Sequence, residues 1–270
     1  MEIAGIAITH PDKIIFPEAK ISKGQMIAYY ERIAGHMLSH LRDRPLTLER
    51  YPDGLGGYGF IQKNAADYYP DFIRTLQVET DKGRQKQILC QDKRSLVYLA
   101  NQGTISFHTW LSRRDKLHQP DQVVYDLDPP GNDLAMLKEA VKVVRKSLQD
   151  ADYQPELMSS GKSGFHLICR IRRGKSFDEL REEARELAEE MAERHPKLLT
   201  TEISKNQRKG RIFVDYLRNA YGQTTICPYS LRATARAGLA TPLDWQELGK
   251  LQRPDAYGPE NIFRRLSQKG

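Results

Sequence analysis

Apolar positions along the chain alternate between a helical and an extended period. Met26, Tyr29, Tyr30, Ile33, Met37 and Leu41 recur at helical spacing behind Ser22, a residue able to cap a first turn, which predicts a helix from about Lys23 to Leu41 with one buried face. Pro45 to Tyr51 reads as a strand, Pro52-Asp53-Gly54 as a turn and Gly59 to Gln62 as a short return strand, together a hairpin. Arg94 to Asn101 reads as a short helix. Thr104 to Trp110 reads as a strand with Ile105, Phe107 and Thr109 on one face and Ser106, His108 and Trp110 on the other. The β-forming residues of Val123 to Asp128 run into the turn Pro129-Pro130-Gly131. An amphipathic helix over Asp133 to Leu148 and strands near Glu156–Met158 and Phe165–Ile171 follow. Ser176 and Glu179 form a capping box that opens a helix to about Arg194. Strands near Leu199–Ile203 and Arg211–Tyr216 and a helix near Asp244–Leu251 complete the pattern. Strands and helices mix without strict β-α-β alternation, which predicts an α+β fold with mostly antiparallel sheets. No repeat, low-complexity tract or long linker divides the 270 residues, so one domain over 1–270 is expected.

Charge narrows the picture only slightly. Lys+Arg 42 against Asp+Glu 35 gives a formal +7, compatible with a polyanionic partner or simply with a basic surface. The polar tip Asp81 to Lys86 can serve as a solvated loop or touch a phosphate backbone. No segment approaches the ~20 apolar residues of a membrane span, and Met1 to His10 lacks a signal-peptide pattern, so a cytoplasmic, nucleoid-associated protein is expected. Cys90, Cys169 and Cys227 are too few and too far apart for a disulfide framework or a zinc site. His36 and His40 stand four apart on the first helix, but the glutamate of a zinc-protease helix is missing between them.

Candidate chemistry concentrates in three stretches. In Val124-Tyr125-Asp126-Leu127-Asp128-Pro129 the strand period turns Asp126 and Asp128 to one face, about 6–7 Å apart at Cα level. Carboxylates so spaced can share divalent ions, and two ions about 3.5–4 Å apart suit in-line phosphoryl displacement. The same residues also fit two solvated aspartates beside a turn. Ser159 to His166 contains Gly-Lys-Ser, yet Glu156 stands where a P-loop needs its first glycine, and a strand rather than a helix follows. The turn still offers hydroxyls, N–H groups, Lys162 and His166 to an anion. Arg208 to Tyr216 ends an apolar strand on Asp215, a third carboxylate, and Pro228-Tyr229-Ser230-Leu231-Arg232 adds a cation.

In this order, and together with His10-Pro11-Asp12-Lys13, Arg42 to Thr47 and Gln62-Lys63-Asn64, these stretches resemble the archaeo-eukaryotic primase superfamily, most closely the polymerase domain of bacterial ligase D and its stand-alone relatives. The resemblance implies a fold of two mostly antiparallel central sheets flanked by helices. It also implies a template-dependent nucleotidyltransferase that fills gaps and extends 3′ ends in non-homologous end joining, with a preference for ribonucleotides. By the same resemblance Asp126, Asp128 and Asp215 are the catalytic and metal-binding residues, holding two Mn2+ or Mg2+ ions and no zinc. Ser160, Lys162, His166, Arg208 and Arg232 would meet the nucleoside triphosphate, Lys13 and Lys23 a DNA 5′-phosphate, and Phe60, Lys63 and His108 the template. The implied partners are gapped or broken DNA, an ATP-dependent DNA ligase and Ku. The chain departs from the family at Ser163, where a lysine is common, and at Ile61, where a second aromatic is common.

No Lys-x-Asp-Gly motif of a ligase and no nuclease-like histidine cluster occurs, so the polymerase stands alone in this chain, either as an independent protein or as a domain of a longer one. Three competing functions remain. A DNA primase or excision-repair primase-polymerase shares the superfamily. A glycosyltransferase also uses D-x-D but leaves Asp215 and the N-terminal lysines without a role. A DNA-end-binding module without catalysis would carry three carboxylates as a liability against phosphate.

Overall fold

Side-chain alternation along one strand organises the molecule. In the computed structural model, which describes residues 1–80 and 83–269, the strand Gln122–Asp128 sends Val123, Tyr125 and Leu127 into one apolar cluster and Val124 into another, with Asp126 and Asp128 on the Val124 side. The strands before it are β1 (Glu2–Ile3), β2 (Ile6–Ala7), β3 (Ile14–Phe16), β4 (Ile21–Ser22), β5 (Leu46–Arg50), β6 (Phe60–Gln62), β7 (Thr75–Thr80), β8 (Gly83–Ile88) and β9 (Thr104–Trp110), which makes it β10. After it come β11 (Pro155–Ser159), β12 (Phe165–Arg170), β13 (Leu199–Thr200), β14 (Ile212–Asp215), β15 (Thr224–Ile226) and β16 (Thr241–Leu243). The helices are α1 (Lys23–Leu41), α2 (Lys93–Asn101), α3 (Leu134–Asp150), α4 (Phe177–Arg194) and α5 (Ile262–Ser267).

Two six-stranded sheets carry the fold. One runs β13-β14-β10-β12-β11-β16 and the other β15-β9-β5-β8-β7, with β6 also paired to β5; among the described strands of these sheets β13–β14 is the one parallel pair. Helices α3 and α4 cover the outer face of the first sheet, meeting Tyr125, Leu127, Phe165, Leu167 and Val214. Helices α1 and α2 cover the second, where Tyr30 packs edge-on against Phe107. The two inner faces meet over a small apolar plug that includes Leu111, Val124, Met158, Ile168 and Ile226. The fold is α+β, as the mixed periodicities predict.

Capping chemistry sets the helix starts. Ser22 and Gln25 form a full capping box on α1, Ser176 and Glu179 another on α4, and Asp92 and Asp133 accept from the N3 amides of α2 and α3. Three expectations need correction. Gly83 to Lys86 belong to β8, paired with β7, because a tight hairpin carries their backbone bonds, while Asp81 and Lys82 lie outside the described residues. Strand β13 stops at Thr200, and the Ile203 side chain is exposed. The helix expected over Asp244–Leu251 is a single 3-10 turn at Trp245–Glu247, since Glu247 is drawn to Arg265 and Lys269 instead of propagating a helical face. Among the described residues no helix is long and apolar enough to cross a membrane.

Candidate active site

Strand register assembles the acidic residues. Asp126 is the direct partner of Asp215 on β14 and of His166 on β12, and Asp128 follows on the same face. Beneath Asp126 the ladder to β14 has ended. The Asn219 side chain replaces it, accepting from Val124 N at 2.8 Å and donating to Val124 O at 2.8 Å. Asn219 therefore locks the turn after Asp215 onto β10.

The neighbouring turn is built for close approach. Gly161 has φ +70°, and a Cβ there would lie 2.4 Å from the Leu239 backbone; one on Gly164 would lie 2.4 Å from Leu127 O. The Ser160 hydroxyl accepts from Gly164 N (3.0 Å) and Lys162 N (3.3 Å), which leaves its own O–H available to donate. The segment packed on Gly161 is the return of a Leu231–Leu239 bridge, and Arg232 N donates to Gly238 O at 2.8 Å. Arg232 is thereby fixed beside the turn.

These elements line a cleft of about 500 Å³ between the two sheets. Asp126, Asp128, Ser160, Lys162, His166, Arg208 and Arg232 come from one side, and Lys63 and His108 from the other. Asp215 lies buried beside Asp126 beneath this wall. Phe60 does not line the cleft. On β6 it alternates with Ile61, which does, and instead lies under the Arg50 guanidinium (5.1 Å) and beside Tyr58. Lys13 and Lys23 stand apart from the cleft, Lys23 as the first residue of α1 and Lys13 on the segment before it. Lys23 Nζ donates to Thr9 Oγ1 (2.8 Å), and Lys13 Nζ to Asp53 (2.9 Å) and Pro52 O (3.2 Å). Burial and the charge of Lys13 bring the Lys23 amine down to about 8. His36 and His40 flank the Tyr229 ring rather than meeting a third ligand-type residue.

Arg218, Lys205, Thr47 and Thr225 also line the cleft, and none was singled out by the sequence reading. The only signal for Arg218 is its place three residues after Asp215, to which its Nε lies 3.6 Å away. Thr225 depends on tertiary structure alone.

Electrostatics distinguish the carboxylates from ordinary surface ones. Burial and then the charge of Asp215 push Asp126 up to about 7; Asp128 is raised by burial and Asp126, and Asp215 by burial against the opposing Leu217 N–H. His166 is pushed down to about 3 by burial and Arg232. A neutral His166 can accept from Thr225 Oγ1 at Nδ1 (3.3 Å) and donate from Nε2 to Asp126 Oδ1 (3.3 Å). Across the cleft, burial opposes ionisation of Glu49, but His108 at 4.0 Å and Arg232 outweigh it and hold the carboxyl below its ordinary range.

As they stand, no three His, Cys, Asp or Glu side chains among the described residues converge as a ready ligand shell. Asp126 is turned to His166, and Asp215 to Leu217 N (2.8 Å) and Arg218. The donor chemistry nonetheless fits a divalent ion. The set is all carboxylate oxygen, which suits Mg2+ or Mn2+, and its members repel one another where cationic charge would relieve them.

The model of the LigD primase-polymerase domain matches residues 22–270. The Multifunctional non-homologous end joining protein LigD of Pseudomonas aeruginosa is 33% identical over 266 residues, covering 98% of this chain and 32% of that protein. The Bifunctional non-homologous end joining protein LigD of Bacillus subtilis is 31% identical over 267 residues, covering 98% of this chain and 43% of that protein. This chain thus spans less than half the length of either relative. The solved polymerase domain of Mycobacterium tuberculosis ligase D, in complex with DNA, superposes with a TM-score of 0.91 at 27% identity over 98% of this chain and 95% of that one. Fold and sequence agree, and the chain belongs to the LigD primase-polymerase domain family.

Proposed function

We propose that this protein is a template-dependent polymerase that adds nucleotides to a primer 3′-OH at gaps and broken DNA ends, with ribonucleotides preferred. The observation that carries the reading is the pairing of Asp126 with Asp215 across β10 and β14, Asp128 beside them, at the edge of a cleft lined by Ser160, Lys162, His166, Arg208 and Arg232. Asp126, Asp128 and Asp215 would hold two Mg2+ or Mn2+ ions. Bound there, such ions supply the positive charge that an in-line phosphoryl displacement needs at its attacking and leaving oxygens.

The remaining steps belong to the protein's own groups. Arg208 is braced by bonds to Glu202 O (3.1 Å) and Ile203 O (3.0 Å), so its guanidinium meets a triphosphate without reorganising. Arg232 and Lys162 add charge from the turn side. The Ser160 O–H can donate to a sugar hydroxyl or a phosphate oxygen; burial and Arg232 keep the His166 imidazole neutral, and its contacts to Thr225 and Asp126 hold it in place. A site that hydrogen-bonds a 2′-OH loses more from its absence than an apolar pocket gains from its presence, which is the physical basis of the sugar preference. Lys63 and His108 face the template side, Phe60 offers a ring just outside the cleft, and Lys13 with Lys23 would hold the downstream 5′-phosphate. An ATP-dependent ligase and Ku are the partners such an activity requires to seal an end.

Primer extension on gapped duplexes, with ribo- and deoxyribonucleotides compared in Mn2+ and Mg2+, tests the reading. Template-directed addition favouring ribonucleotides is expected. No addition with either metal overturns the polymerase assignment, and equal use of both sugars overturns the preference alone.

A further inference from the structure

The inter-sheet face of β10 does not end at the cleft. It reads Gln122, Val124, Asp126, Asp128, and at the Gln122 end the two sheets part again around a second cavity of about 130 Å³. The apolar plug around Val124, Met158 and Ile168 separates the two spaces, while Thr225 and Ile226 of β15 contribute to both walls.

Three neutral polar groups line this cavity with no hydrogen bond from their side chains: the Gln122 amide, the Thr109 hydroxyl and the His40 imidazole. Gln122 is 7% exposed and Thr109 2%, so the polar atoms they present are reached only through this cavity. The cations at the same place are already committed. Arg44 bonds Asp121 (2.8 Å) and Trp110 O (3.2 Å), and Arg170 faces Glu156 at 3.6 Å. Burial, with Arg170 and Arg44 nearby, brings His40 down to about 4, so it presents a neutral ring at neutral pH. Met158, Ile168, Pro242 and the Tyr229 ring form the remaining walls.

We propose that this cavity binds an uncharged purine of the adenine type, as free base or nucleoside. An amide side chain offers one donor and one acceptor side by side, the pattern that pairs with adenine N6 and N7. Flat apolar walls accept the faces of the ring, and Thr109 and His40 can serve its other edge nitrogens. Each guanidinium at the cavity already faces a carboxylate, Arg44 that of Asp121 and Arg170 that of Glu156, and the Glu156 carboxylate on the rim works against a phosphate. The volume is small beside the ~300–1,000 Å³ of drug-sized pockets, which favours a single ring system over a whole nucleotide. The assignment is independent of the reading of the cleft.

Calorimetric titration of the full chain with adenine tests it, with 6-unsubstituted purine and AMP as comparisons. Adenine is expected to bind at least tenfold more tightly than purine, and AMP no more tightly than adenine. Gln122→Leu and Thr109→Val should each weaken adenine at least tenfold while melting no lower than wild type, since each removes an unpaired polar atom. Arg232→Ala should leave adenine binding unchanged. The proposal is overturned if adenine does not bind, if both substitutions leave binding intact, or if Arg232→Ala abolishes it and so locates the base in the cleft. If either variant fails to fold, wild-type crystals soaked in adenine decide: a base beside Gln122 supports the proposal, and a base only in the cleft, or none, overturns it.

Discussion

One strand lines two unlike spaces. At one end β10 places Asp126 and Asp128 in a wide cleft among arginines and lysines; at the other the same face places Gln122 in a small cavity whose arginines each face a carboxylate. Only three residues separate Gln122 from Asp126 on the same strand, so the difference arises from surroundings and not from local structure. In the cleft the carboxylates outnumber their close partners and repel one another, whereas around the cavity Arg44 faces Asp121 and Arg170 faces Glu156, which leaves neutral polar groups to line it.

The largest effect should come from moving charge to the wrong end. Val124 is fully buried in the plug, and Val124→Asp puts an unpaired carboxylate there, with an expected loss of about 4 kcal/mol or more and failure to fold at 37 °C; a denaturant midpoint near wild type would refute the contrast between the two ends. Next, Asp126→Ala, Asp128→Ala and Asp215→Ala should each lower nucleotide addition by about 10²-fold or more while leaving DNA affinity equal or higher, because they remove carboxylates and not phosphate contacts. Near-normal extension by any one of them removes that residue from the proposed triad.

A smaller effect concerns the lysine site. Lys13→Ala/Lys23→Ala should abolish the affinity gain that a downstream 5′-phosphate gives a gapped duplex at fixed salt, about tenfold on a loss of two charge-assisted contacts. Because Lys23 titrates near 8, it is protonated below that pH and loses its charge above it, so the wild-type gain should shrink between pH 7 and pH 9. A gain that persists in the double variant or stays flat over that range excludes these lysines.

The smallest effect provides a control carboxylate, one fully compensated by cations. Burial opposes the charge of Glu247, but bonds from Arg265 (2.7 Å) and Lys269 (2.6 Å) prevail and bring it down to about 2. Its folded value lies below the ordinary 4.5, so its contribution is present above about pH 4.5 and is lost as pH falls toward 2. After allowance for solvent screening this is about 1 kcal/mol. Glu247→Gln should remove it and flatten the melting temperature between pH 5 and pH 3; an unchanged acid profile would mean the cluster adds nothing.

Much of this was legible from residue order. The capping boxes at Ser22 and Ser176 depend on side chains three residues apart, and the burial of Met26, Tyr30, Ile33 and Met37 on spacing within one helix. Asp126 and Asp128 share a face because strand alternation leaves no other arrangement. Arg218 and Thr225 escaped notice because neither has a local signature. The Asp244–Leu251 segment stops after one 3-10 turn because Glu247 bonds Arg265 and Lys269, about twenty residues on, which no local pattern announces.

What the sequence determined by itself was therefore everything governed by short-range periodicity and by the kinds of donor present: the helices and most strands, the pairing of Asp126 with Asp128 on one face, and the motif order that marks the family. Only the tertiary structure decided that Asp215 lies opposite Asp126, that Arg232 rests on the Ser160–Gly164 turn, that Phe60 turns away from the cleft, and that Gln122 faces a second cavity. Those relations join residues tens to more than a hundred positions apart, and they are set by strand register and sheet-on-sheet packing, which local propensity does not encode.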